Sequence, residues 1–269
     1  MRVESMSGDE VMALMVSGVA AALGWGRWYR AARVRTLIVR NASRSIFVVG
    51  PVVCMALLYA VLWLWAADDV RCSETYLVFY MVMGAAWVGL FAQLCCFLGV
   101  SSRDDVIERQ NLPAALVTAG ALAGITFCFA GANVGNGPGW WVVVFSAGLS
   151  TVAFFGLWAV VESLTGISEL VTVERAGGAG LRLGGLLAGM GMILGGSVAG
   201  DWVSAEATIQ DCAVAAWPAL PLVGAAVIIE RFWPFDANGR TEDSAAGLFI
   251  AAVYVVVSFL YVFVLQGMP

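Results

Sequence analysis

Six stretches of this chain, residues 46–66, 76–100, 112–131, 139–161, 212–229 and 244–267, each run for at least eighteen residues without a charged side chain. A backbone in oil must satisfy its own amides, and a helix of about 20 apolar residues does so while crossing the hydrocarbon. A soluble core would instead alternate apolar and polar positions at helix or strand period. The composition agrees: 61% of residues are apolar and 12% charged, about half the ~25% charged share of a soluble domain. Two further stretches qualify less cleanly. Residues 176–200 contain one charge, Arg182, and residues 11–26 are short and followed at once by Arg27. Counting both predicts an all-α fold: a polytopic transmembrane bundle of about eight helices set in the lipid bilayer. The first ten residues hold three acids and one arginine. They lack the basic start of a cleavable signal, so residues 11–26 are expected to be retained.

The chain has no His and no Lys. A Schiff-base retinal needs a Lys, and His-ligated haem, chlorophyll or zinc needs a His, so none of these cofactors is expected; a bound lipid stays compatible. Six cysteines, at 54, 72, 95, 96, 128 and 212, form no CxxC pair and read as small buried hydrophobes. A net charge of −5 leaves no basic face for nucleic acid.

With eight spans the connections alternate sides, and the arginines choose one. Arg27, Arg30, Arg33, Arg35, Arg40 and Arg44 fall in the first connection. Arg103 and Arg109 fall in the third, Arg175 and Arg182 at the fifth, Arg231 and Arg240 in the seventh. Only Arg2 and Arg71 fall on the other side. Translocated loops are poor in positive charge, so the odd-numbered connections are expected in the cytoplasm and both termini outside.

Residues 114–131 (AALVTAGALAGITFCFAG) align with 179–196 (AGLRLGGLLAGMGMILGG) at an offset of 65, with seven of eighteen positions identical. Gly120 pairs with Gly185, Leu122 with Leu187, Ala123 with Ala188 and Gly124 with Gly189. A third, partial copy starts at Ala246-Gly247-Leu248. Helical hairpins repeated in parallel are the expected architecture. Residues 1–100 then form a three-helix membrane region and residues 101–269 a five-helix region of repeated hairpins.

Within that second region, an acidic residue, an apolar pair, an Asn and a pair of Ala lead into a Gly-rich helix. Asp105, Val106-Ile107, Asn111 and Ala114-Ala115 carry the pattern, with one extra residue after the Asn. Glu169, Leu170-Val171 and Ala179-Gly180 repeat it with Gly177-Gly178 where the Asn belongs, and Asp243 precedes Ala245-Ala246. Residues 100–269 thereby resemble the uncharacterised bacterial inner-membrane family known as domain of unknown function three-fifty. The resemblance implies a duplicated-hairpin membrane fold in a bacterial inner membrane; the family brings no established activity.

Small residues at GxxxG spacing mark one helix: Gly180 and Gly184, Gly185 and Gly189, Gly191 and Gly195, Gly196 and Gly200. Such spacing lets two backbones approach in lipid, either as a tight seam within the chain or as a pore or sliding helix. Arg182 lies about one turn into that helix. Either its stem snorkels to the interface or it pairs with an acid, and Glu162, Glu174 and Glu230 stand at matching depth as an ion-pair or gating cluster. Thr208 with Asp211 fits a helix-capping box beside Glu206 and Asp201, and Ser101 or Ser102 with Asp104 or Asp105 fits another. The segment 131–141 (GANVGNGPGWW) has the Gly, Asn and Pro of a tight turn, followed by Trp140 and Trp141 at belt depth. Pro218 and Pro221 are expected to kink the seventh span. These features favour a non-enzymatic membrane subunit that assembles with itself or with other membrane chains. The alternative is an ion channel or ion-coupled transporter using Arg182 and the carboxylates. No nucleophile and base pair is visible for an enzyme.

Overall fold

The computed structural model describes residues 6–33, 42–232 and 241–266, with backbone alone for 241–243. Arg2, Arg35, Arg40, Arg240 and the side chain of Asp243 lie outside the described parts. Every regular element among the described residues is helical. In chain order they are α1 (Gly8–Ala32), α2 (Ala42–Trp65), the single turn α3 (Asp68–Arg71), α4 (Glu74–Phe91) and α5 (Leu112–Gly131). There follow α6 (Trp140–Thr165), the short α7 (Ile167–Thr172), α8 (Gly177–Ser197), α9 (Ala205–Ala215), α10 (Ala219–Phe232) and α11 (Thr241–Leu260). A 3₁₀ segment (Ala92–Leu98) extends α4, and a wide-turn helix (Ser102–Glu108) precedes α5.

Among the described residues, seven helices are long and apolar enough to cross a membrane: α1, α2, α4 with its extension, α5, α6, α8 and α11. Helix α1 outruns the expected 11–26. It begins where the Ser7 amide donates to Glu10 at 2.8 Å, and it continues through Arg27 and Arg30 because both side chains are exposed and bring no charge into the packing. The stretch 212–229, expected as one helix, is instead the end of α9 and most of α10, which meet at 42°. Pro218 sits in the break, where its missing N–H ends one helix. Pro221 falls in the first turn of α10, where a missing donor costs nothing, so the bend belongs to Pro218.

Local chemistry sets the other boundaries. Asn111 caps α5 by accepting from the Ala114 amide at 3.2 Å, with Pro113 in the first turn. Gly166, in the left-handed region at φ 62°, ends α6. The cap of α9 is Ser204, which accepts from Ala207 at 3.1 Å; Thr208, the expected cap, lies inside the helix and donates to the Ser204 carbonyl. Ser101 caps the wide-turn helix, accepting from Asp104 while its own amide donates to Asp105.

Helices α5 and α8 form the centre, with 72% of each span buried against 11% for α1. They run parallel: a Cβ on Gly120 would strike the Gly184 carbonyl, and one on Gly131 the Gly195 carbonyl. Gly180 lies on Pro113, Gly184 on Leu116, and Gly191 on the backbone of Gly124. The opposite face of α8 carries Gly185, Gly189 and Gly196, which meet Ala251, Tyr254 with Ser258, and Val262 with Gln266. Helix α8 is thus held backbone-to-backbone on two sides by its own chain. In lipid this close dispersion contact is what draws helices together. Gly200 lies beyond α8 in a turn at φ 136° with nothing within 4 Å of its Cβ position, so it is a turn residue and not a packing residue.

The segments after α5 and after α8 are stitched to each other. Gly200 N–H donates to Val134 O at 2.9 Å and Trp202 N–H to Asn136 O at 2.8 Å. Asp201 accepts from the Asn136 amide and side chain at 2.7 and 3.0 Å. The Gly-rich segment is a turn, and Asp201 serves it. Trp141 meets Trp202 edge-on at 5.2 Å. Asp9 accepts from Trp140, and Glu10 meets Tyr76, so α1 starts at this same end. At the other end, Asn111 reaches Val171 O at 2.8 Å, and Arg175 reaches Arg109 O at 3.2 Å.

Candidate functional site

The most unusual group in the apolar interior is Arg182, whose side chain is 1% exposed. It stands in the second turn of α8, between the glycine faces, where α10 packs. Its Nε donates to Glu230 Oε1 at 2.6 Å and Nη2 to Oε2 at 2.9 Å, and the Glu230 side chain is 3% exposed. This is the fork-to-fork geometry that a planar guanidinium and a carboxylate form. Of the two fates open to Arg182, pairing is realised and snorkelling is not.

The bend at Pro218 positions the acid. Helix α10 carries Glu230 in its last turn to Arg182 in the second turn of α8. Glu162 and Glu174, the other acids at matching depth, are placed elsewhere. Glu162 accepts from the Ser168 hydroxyl at 2.5 Å and the Ser168 amide at 3.1 Å, fastening α6 to α7. Glu174 is exposed. No ion pair joins either to Arg182 among the described residues.

Tyr254 on α11 was not singled out by its sequence context, a largely apolar run. It is 3% exposed, its hydroxyl has no hydrogen-bond partner among the described residues, and it lies within electrostatic range of both Arg182 and Glu230. The indole N–H of Trp158 on α6 is also buried with no hydrogen-bond partner among the described residues. The arrangement therefore comprises one satisfied ion pair and a nearby buried hydroxyl inside the helix packing. It can hold charge in a fixed place. It offers no nucleophile beside a base, and among the described residues no three His, Cys, Asp or Glu side chains gather at metal-ligand spacing. Cys54, Cys95, Cys128 and Cys212 are buried, whereas Cys72 and Cys96 are exposed, against the expectation that all would be buried.

No protein-family model, curated protein or solved structure matches this chain.

Proposed function

We propose that this chain is a non-enzymatic, multi-pass membrane subunit that assembles with itself or with other membrane chains. The observation that carries this reading is the contrast between a locked centre and an uncovered periphery. Helix α8 is fixed on two sides by glycine-to-backbone contacts with α5 and α11, which leaves it no room to slide. Helices α1, α11 and α2 keep 11%, 22% and 28% of their spans buried, so their remaining faces meet lipid or a partner. The glycines build the protomer, and the peripheral helices are the surfaces left for assembly.

The same reading takes the fold as hairpins repeated at about 65 residues and α9 with α10 as an eighth, bent crossing. Left-handed backbone at Gln110 and Arg175, and positive φ at Gly135 and Gly200, recur at that offset and support it. So do the parallel pairs α5 with α8 and α8 with α11. The resemblance to the uncharacterised family fits such a fold, a bacterial inner membrane and termini outside, opposite the arginine-rich end.

Sizing in mild detergent with cross-linking before extraction tests the assembly. A mass that is a multiple of the chain, or a co-purifying membrane chain, is expected; monomer alone under both conditions overturns it. The buried Arg182–Glu230 pair favours a second reading, an ion-coupled transporter, since ionised groups within a span commonly mark a path. That reading requires ion flux in proteoliposomes that Glu230→Gln abolishes; the assembly reading expects none.

A further inference from the structure

We propose that the arginine-rich end holds a built site for the phosphate headgroup of an anionic phospholipid. A cavity of about 420 Å³ opens between the last two turns of α1, the start of α2, the 3₁₀ segment and the wide-turn helix. Arg27, Arg30 and Arg103 line it together with Gln93 and Ser102, and no carboxylate lines it among the described residues. The neighbouring acids are engaged: Asp105 with Arg109 and the Ser101 amide, Asp104 with Ser101, and Glu108 with Arg103 Nε at 3.1 Å. Arg103 meets Glu108 through one edge, and Arg30 uses Nε for the Gly26 carbonyl at 2.9 Å, so the terminal nitrogens of both stay available. Three guanidiniums face one cavity, and among the described residues only Arg103 has a carboxylate partner, Glu108, on its Nε edge; this excess of positive charge calls for an anion, and the forked donors suit phosphate oxygens.

The surface below the cavity says which anion. Met12, Val16, Val19 and Leu23 are all exposed and recur at intervals of three and four, as do Arg27 and Arg30 after them. One face of α1 is thus a lipid-facing apolar stripe that ends in two arginines. The floor of the cavity is rigid, because Trp28 stacks on Phe47 at 4.1 Å and donates to its carbonyl at 3.0 Å. An amphiphile with acyl chains on the stripe and a phosphate in the cavity matches both halves, and free phosphate matches only one. Basic pockets at span ends are known to take such headgroups.

Native mass spectrometry of the delipidated full chain in mild detergent tests the proposal, with phosphatidylglycerol, phosphatidylcholine and inorganic phosphate as separate titrants. Phosphatidylglycerol is expected to bind at least tenfold more tightly than phosphatidylcholine. Each of Arg27→Gln, Arg30→Gln and Arg103→Gln is expected to weaken it about fivefold, and the triple variant on the order of 100-fold. Arg27→Lys should retain most of the binding. Equal binding of the two lipids overturns the proposal, as does a triple-variant loss no larger than that of Arg71→Gln at the opposite end. Displacement of the lipid by inorganic phosphate at matching concentration overturns the lipid assignment.

Discussion

Removing either partner of the Arg182–Glu230 pair should destabilise the bundle, whereas removing both together should not. Taking one member from a buried ion pair costs roughly 3–5 kcal/mol, because a charge is left without compensation. This is well above the ~0.6 kcal/mol average of polar contacts between spans, and the two short bonds and near-complete burial place the pair in the higher class. Arg182→Leu and Glu230→Leu should each cost roughly 3–5 kcal/mol. With both replaced by Leu, stability should return to within about 1 kcal/mol of the parent. Reversible unfolding in bicelles measures the two single variants and the double variant. Single variants costing under 1 kcal/mol, or a double variant whose loss equals the sum of the singles, would refute the reasoning.

The glycine contacts give a matched pair of substitutions. Gly191→Ala drives a methyl into the Gly124 backbone and should cost 2 kcal/mol or more, whereas Gly156→Ala, with nothing within 4 Å, should stabilise α6 by about 0.5–1 kcal/mol; thermal unfolding in detergent separates them. Asn111→Ala removes both the α5 cap and the bond to Val171 O, so a loss of about 1–3 kcal/mol is expected, with faster amide exchange in the first turn of α5. Pro218→Ala should straighten the α9–α10 junction, carry Glu230 away from Arg182, and lower stability at neutral pH as Glu230→Leu does. A double variant of Pro218→Ala with Glu230→Leu should then be no worse than Glu230→Leu alone, as the same measurement reads directly.

Much of the fold was legible because lipid imposes one rule on the backbone. Charge-free runs of 18–25 residues located α2, α4, α5, α6 and α11 within a few residues, since a helix is the conformation that closes its own hydrogen bonds there. Boundaries set by local chemistry were less visible. The break at 216–218 was signalled by Pro218, but a proline fixes where a helix can bend and leaves the angle to packing. The GxxxG spacing marked α8 as central without naming its neighbours, because each glycine row reports a close approach and nothing about what approaches. For Arg182, snorkelling and pairing were both open, since the partner lies 48 residues away and reaches it through that bend. Tyr254 was not legible at all: one hydroxyl in an apolar run differs little from a phenylalanine until its surroundings are known. Among the described residues, Arg27, Arg30, Arg103, Arg109 and Arg175 gather at one end of the bundle, while the cavity shared by Arg27, Arg30 and Arg103 depends on how separate elements converge.

The chain is proposed to thread repeatedly through a bilayer with its arginine-rich end inside, and side-specific thiol labelling tests this most directly. Cys72 is exposed at the end opposite the arginines, and Glu174 is exposed at the arginine end. In a chain whose other cysteines are replaced by alanine, a membrane-impermeant maleimide should label Cys72 in intact cells. With Cys72 also replaced, Glu174→Cys should label only after the membrane is opened. Labelling of both positions from the same side, or of neither pattern but of the protein free in the soluble fraction, would contradict the account.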